Sequence, residues 1–584
     1  MLSFSQVICV LAFVANIKVS FGFYLPGVAP HNFADGDTVD LKVNKLSSVH
    51  TQLPYDYYSL NYCKPPEGVT SYSENLGEFL SGDRIENSPY KIYMNREVFC
   101  KVLCAVTLNK KETDKFAHAI KSVYHNNWII DNLPAASIID SDEEIMTQYV
   151  GFPVGYQGPK STNYIYNHVN IILLTHEDID PEYNRIVGFY VEPMSIKHTS
   201  KDSCDNMNKH LEYSAIKEHQ SLRTQILFSY GVEWRKSDVQ WASRWDVYLS
   251  MNKAVSDKVH WFAIVNSLLI VLFLSFVVGV ILYKTVQNDV MSYNRVKTSE
   301  EKAEEREESG WKLVHADVFR PPAEYPMLYA ACMGTGVQIN VCIVLFICCA
   351  AIGFLSPANR GSILIGMLCF FVLSSFLAGF VSARLFKSFN GVGWQRCTML
   401  TALGYSGLCF TIFFVLDVII WGYGSTGAIP LLSMFTLLLL WFLISVPLVF
   451  FGAYKGYQQD AIEYPVVTSN IPRQIPPQPW FLHPVMTAML GGVLPFGACF
   501  VELFFIMSSV WMDQYYYVFG FLLVVVIILG KCMHITIHPF FVHVHLIIAY
   551  ILSNDIELYY VHVSYRSYYM CSNVNRIVIC ATGE

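Results

Sequence analysis

Two carboxylates stand where a carboxylate is costly: Asp417 in FFVLDVIIW and Glu502 in CFVELFFIM. An acid at the centre of a membrane helix costs about 2.5–3.5 kcal/mol on insertion scales, so each is expected to face other helices or water. The chemistry such groups offer is an ion or proton path. The plainer reading is a protonated carboxyl hydrogen-bonded between helices, and no regularly spaced polar residues join the two.

Other reactive side chains fall into three sets. Cys63, Cys100, Cys104 and Cys204 lie in the polar first half; Cys100 and Cys104 have no matching second half with His ligands, so two disulfides are expected rather than zinc, with all three pairings open. Near the C-terminus His534, His538, His543 and His545 cluster. A four-residue spacing places two imidazoles on one helix face, but Pro539 interrupts the run and no metal or cofactor is expected. Tyr293-Asn294-Arg295-Val296 and Tyr464-Pro465-Val466-Val467 fit the Tyr-x-x-apolar pattern of coat-adaptor signals, tetrapeptides short enough to arise by chance.

The elements that must hold these residues are legible from the distribution of apolar residues. The 584 residues are 53% hydrophobic and only 15% charged, against about 25% charged in a soluble domain. The excess is concentrated after residue 260, in spans at Trp261–Tyr283, Gly336–Leu355, Gly361–Ala383, Met399–Trp421, Leu431–Ala453, Met486–Trp511 and Tyr517–Gly530. Lys and Arg recur in alternate connecting segments: Lys284 to Arg320, then Arg384, Lys387 and Arg396, then Lys455 and Arg473. The other connections hold little beyond Arg360, which the positive-inside rule reads as the non-cytosolic side.

Residues 1–22 read as a cleaved signal peptide, with an apolar core at Val7–Val14 too short to span. Residues 23–259 are then luminal. They carry extended-looking runs at Thr38–Val43, Tyr90–Met94, Asn170–Leu174 and Ile186–Val191, and predict a β-rich sandwich in which the many Tyr and Phe pack between strands. No Asn-x-Ser/Thr sequon occurs in this head. The net charge of -7, with basic residues scattered, excludes a nucleic-acid footprint. The fold class is therefore a membrane protein, a β-rich luminal domain followed by a polytopic α-helical bundle at 260–530 with about seven spans.

Read in order, FYLPGVAPHNF (Phe23–Phe33), TQLPYDYYSLNYC (Thr51–Cys63), ENLGEFLSGDRIENSPY (Glu74–Tyr90) and GVEWRKSDVQWASRWDVYL (Gly231–Leu249) resemble the head of the nonaspanins, the transmembrane 9 superfamily. The bundle continues the likeness through GWKLVHADVFRPP, GFLSPANRG, KSFNGVGW, WFLISVPLVFFGAYKGY, IPRQIPPQPW and GGVLPFGACFVELFFI, ending in YYVFGFLLVVVIIL at Leu529. The resemblance covers about nine tenths of the chain. It implies nine spans, a luminal head, residence in Golgi and endosomal membranes, and a non-enzymatic role in sorting and surface delivery of other membrane proteins, with adhesion and phagocytosis. The implied partners are cargo with Gly-rich spans, vesicle-coat adaptors and the lipid bilayer. Cargo contact is expected on the face with Glu502 and on small-residue surfaces at Gly334, Gly336, Gly491 and Gly492, which serve equally for packing within the bundle.

After Leu529 the resemblance stops. The family's closing Lys-x-Asp retrograde signal is absent from Cys580-Ala581-Thr582-Gly583-Glu584, and residues 531–584 read as a divergent, His-rich tail that an altered or truncated end would produce. The alternative function is a secondary transporter or channel using Asp417 and Glu502. A luminal enzyme lacks any nucleophile, metal or nucleotide motif.

Overall fold

The computed structural model describes residues 30–462 apart from 73, 140–146, 159–161, 178–182, 199–214, 217–223, 247, 249–256, 295–319, 323–324 and 356–358, with isolated helical residues and turns between 486 and 530. The signal peptide, Cys204, Val296, Tyr464, Val467, Gly491, Gly492, Glu502 and the four tail histidines lie outside the described residues.

Among the described residues the head contains fourteen strands: β1 (Thr38–Ser47), β2 (Glu86–Tyr93), β3 (Val98–Leu108), β4 (His125–Ile130), β5 (Leu133–Pro134), β6 (Ala136–Ile139), β7 (Thr147–Val150), β8 (Phe152–Pro153), β9 (Gly155–Gln157), β10 (Asn163–Ile165), β11 (His168–Glu177), β12 (Asn184–Met194), β13 (Ala215–Ile216) and β14 (Thr224–Lys236). They form a six-stranded sheet in the order β3-β14-β11-β12-β6-β7, a five-stranded sheet β2-β1-β4-β5 with β8 on β4, and a small β13-β10-β9 sheet. The four expected runs lie in or overlap β1, β2, β11 and β12.

Alternation in β1 buries Val39, Leu41 and Val43, the period-2 signature of a strand with one face on a core. The near-continuous VNIILL of β11 instead belongs to an interior strand, paired antiparallel to β12 and parallel to β14. Side chains from both larger sheets meet in one core. Aromatics dominate its centre: Trp128 lies edge-on to Phe152 with ring centroids 4.7 Å apart, and Tyr57 stacks on Tyr62 at 4.5 Å. Two short helices, α1 (Leu76–Leu80) and α2 (Lys110–Lys121), each open with an Asn-x-x-Glu capping box.

The end of the head is tied down by a buried ion pair. Arg244, 2% exposed, donates to Asp131 Oδ2 at 2.5 Å, to the Ile186 carbonyl at 3.0 Å and to the Asp131 carbonyl at 3.1 Å, while its guanidinium lies over Trp241.

Helix α3 (Asp257–Asn294) contains the first expected span. Four helices among the described residues are long and apolar enough to cross a membrane: α4 (Pro326–Ile352), α5 (Ser362–Ser388), α6 (Trp394–Gly422) and α7 (Leu431–Gln458). They match the second to fifth expected spans, α4 beginning ten residues earlier than expected because Pro326 at its first position suits a helix start. Helix α5 is the centre of the packing. Side chains on Gly379, Gly452 or Gly456 would collide with backbone across the α5–α7 contact, and one on Gly334 would collide with Ala378 at the α4–α5 contact. Where apolar lipid supplies no hydrophobic drive between helices, such small residues let backbones approach. Gly334 is thus consumed by packing inside the bundle, whereas Gly336 is exposed with open space beside it.

Candidate functional site

The head sits on one end of the bundle. The Asn75 capping box fixes α1 so that Gly77 lies against Gly361, and Asn75 Nδ2 donates to the Arg360 carbonyl at 3.1 Å. A second grip holds the connection between α6 and α7: the Pro54 carbonyl accepts from the Thr426 amide at 3.0 Å and from Ser425 Oγ at 2.6 Å, and Arg84 Nη2 donates to the Ala428 carbonyl at 3.3 Å. Residues 359–361 and 425–428 therefore share the head's side of the bundle. The basic ends lie opposite, where Lys387 Nζ donates to the Tyr457 and Gln459 carbonyls at 3.0 and 2.7 Å.

Beneath α1 a groove of about 280 Å³ opens between α5, α6 and α7. Its walls are Phe371 and Val372 from α5, Tyr405, Cys409 and Phe410 from α6, and Trp441 from α7, with Leu80 of the head at its rim. The α7 wall is irregular: Leu440–Ser445 form a π-helical segment, a feature frequent at functional sites. Trp441 pins that segment to α6 through a 3.3 Å bond from its indole N–H to the Ala402 carbonyl.

Behind the groove runs a buried polar chain. Gln338 Nε2 on α4 donates to the Phe371 carbonyl and to Ser375 Oγ, both at 2.9 Å, and Ser375 Oγ meets Ser445 Oγ at 2.8 Å. Three helices are thereby stitched at one level, with hydroxyls serving where hydrocarbon offers no hydrogen bonds. The sequence reading singled out charged residues and missed this neutral set; the signal was a Gln and two Ser embedded in apolar runs.

Asp417 sits near the end of its helix. It lies in the last two turns of α6, towards the head, as the expected span Met399–Trp421 already has it. Its Oδ1 accepts the Ile429 amide at 2.8 Å, closing the connection onto the start of α7. The structure does not join Asp417 to a second acid among the described residues.

In the head, Cys63 and Cys104 are bridged, with Cα atoms 5.9 Å apart. Cys100 is also disulfide-bonded. Tyr293 is the penultimate residue of α3. No group of three or more His, Cys, Asp or Glu side chains is arranged to hold a metal among the described residues.

Two titrating clusters were not anticipated. His168 Nδ1 lies 2.8 Å from Ser229 Oγ, which lies 3.1 Å from His198 Nε2. Burial, with His198 nearby, pushes the His168 imidazole down to about 4, and burial lowers His198 as well. Beside Arg84, burial raises Asp56, Glu74 and Glu86, the last to about 7 with help from the neighbouring acids.

The family model for endomembrane protein 70 matches residues 54–548, running past Leu529. Transmembrane 9 superfamily member 10 of Arabidopsis thaliana is 46% identical over 547 residues, covering 90% of this chain and 84% of the relative. Transmembrane 9 superfamily member 4 of Homo sapiens is 41% identical over 539 residues, covering 88% and 83%. A putative phagocytic receptor 1a of Dictyostelium discoideum is 39% identical over 525 residues, covering 87% and 81%. No solved structure matches the chain.

Proposed function

The chain belongs to the endomembrane protein 70 family, that of the transmembrane 9 proteins, and from that premise we propose that it is a non-enzymatic protein of Golgi and endosomal membranes that assists the sorting and surface delivery of other membrane proteins. The observation that carries this reading is the apolar groove between α5, α6 and α7. It is open at membrane depth, bordered by the glycine-packed centre of the bundle, and lined by side chains suited to hold an apolar helix rather than to perform bond chemistry. The name of the phagocytic-receptor relative supports a role in adhesion and uptake.

A luminal head is supported by charge. Lys387, Arg396 and Lys455 cluster at the end of the bundle away from the head, which the positive-inside rule assigns to the cytosol. Coat adaptors reading Tyr293 and Tyr464 complete the set of proposed partners. Transport through Asp417 and Glu502 is the weaker reading, because Asp417 already serves the α6–α7 connection.

A photo-crosslinking amino acid at Ser406, on the groove, tests the proposal in cells. Capture of membrane-protein spans by this position, and not by one at Lys115 on the head surface, is expected. Equal, unselective capture at both positions would remove the groove as a cargo site.

A further inference from the structure

A second cavity, of about 220 Å³, lies between the head and the bundle, beside the start of α5. Three charged side chains face it: Lys45 and Asp83 from the head and Arg360 from the α4–α5 connection. Lys45 and Asp83 satisfy each other. Lys45 Nζ is 3.1 Å from Asp83 Oδ1, which also accepts from Asn44 Nδ2 at 3.1 Å, and Ser81 Oγ donates to Oδ2 at 3.2 Å. Burial works to raise the Asp83 carboxyl, but Lys45, Arg360 and these hydrogen bonds outweigh it and hold the group below its usual range. The acid is therefore ionised, and its charge is already matched by Lys45.

Arg360 is the second cation near this one carboxylate. Its backbone carbonyl serves Asn75, but its guanidinium makes no hydrogen bond or ion pair among the described residues, and its Nε is buried without a partner. An unpaired donor of this kind is expensive away from water, and a cation more so. The lining as a whole carries one uncompensated positive charge, at a fork whose geometry suits two oxygens of one anion.

Depth in the membrane narrows the ligand. The same cavity is lined by Ile363 and Leu364, in the first turn of the apolar α5, and by Ile129 and Val150 of the head. A polar end with one net positive charge beside an apolar wall, at the level where a spanning helix enters the bilayer, has the amphipathic layout of the headgroup region. We propose that Arg360 forms a binding site for a phosphate monoanion at the head–bundle junction, of the kind carried by a phospholipid phosphodiester or by free phosphate. The site is independent of the cargo groove and does not rest on the trafficking reading.

The test uses the full chain purified in a neutral detergent, with native mass spectrometry counting adducts of dioctanoyl phosphatidylglycerol. One saturable adduct per chain is expected, with uncharged dioctanoylglycerol not retained. Arg360→Gln weakens binding roughly tenfold, the scale of one charge-assisted contact, and Arg360→Lys, which keeps the charge but loses the fork, falls between the two. Because the guanidinium makes no hydrogen bond or ion pair among the described residues and only assists Lys45 in keeping Asp83 ionised, the ligand-free Tm of Arg360→Gln should stay close to wild type. Displacement of the lipid by millimolar inorganic phosphate identifies free phosphate as the competing source of the same chemistry, and failure to displace identifies the lipid; either supports the site. Equal binding by wild type and Arg360→Gln, or retention of the uncharged lipid, would overturn it.

Discussion

At the scale of single residues, the head is sensitive to pH through groups it keeps uncharged. The His168 imidazole falls from an ordinary 6.5 to about 4 because it is buried, so the native state binds fewer protons than the unfolded chain between those values. Its contribution is fully present above about pH 6.5 and is lost as pH falls towards 4, at up to ~1.4 kcal/mol per pH unit. Thermal unfolding of the full chain in detergent should show a Tm that drops between pH 6.5 and 4.5, and His168→Asn should flatten that slope; an unchanged slope would assign the acid sensitivity to other groups. Glu86 acts with the opposite sign, since a carboxyl raised to about 7 costs stability as pH rises through that value. Arg244→Met strands Asp131 beside apolar core and should destabilise by about 3–5 kcal/mol, read as a lower midpoint in the same melt. None of these residues announced itself in sequence. Single His and Arg residues in strand-rich segments look alike until the fold decides which are enclosed, whereas the cysteines declared their disulfide role through compartment and spacing.

Elements were easier to read than their partners. Runs of about twenty apolar residues must become helices in a bilayer, because nothing else satisfies their backbone, so α5, α6 and α7 appear almost where composition puts them. The strands followed from alternation and β-branched residues. What composition does not carry is which helix faces meet. Gly379, Gly452 and Gly456 reveal their role only when α5 and α7 are seen in contact. Gly452→Leu should therefore separate these helices and abolish a cooperative melt, while Gly336→Leu, which points into open space, should leave the unfolding free energy within about 0.5 kcal/mol of wild type on the usual scale of surface changes. Ser375→Ala removes the centre of the Gln338–Ser375–Ser445 chain. An expected loss of roughly 0.6–1.7 kcal/mol, the range for hydrogen bonds between membrane helices, is measurable by unfolding in mixed micelles. For Asp417 the run gave the position near the helix end but not the partner, which is a backbone amide across the α6–α7 connection.

For the whole molecule, the division into a strand-rich head and a helical bundle was legible because water and lipid demand different surfaces. The junction between them was not, since it is built from backbone carbonyls, two close-packed glycines and Arg84, features with no periodicity. That junction makes the head a cover for the end of the bundle, with Leu80 at the rim of the groove below it. Cargo handling through this groove is the central claim, and one measurement addresses it directly: the surface abundance of membrane proteins with Gly-rich spans in cells lacking this protein, then complemented. Abundance should fall on deletion and recover with wild type, but not with Ser406→Trp, which fills the groove, provided that variant melts like wild type. Normal surface levels in the deleted cells, or full rescue by the filled groove, would contradict the account.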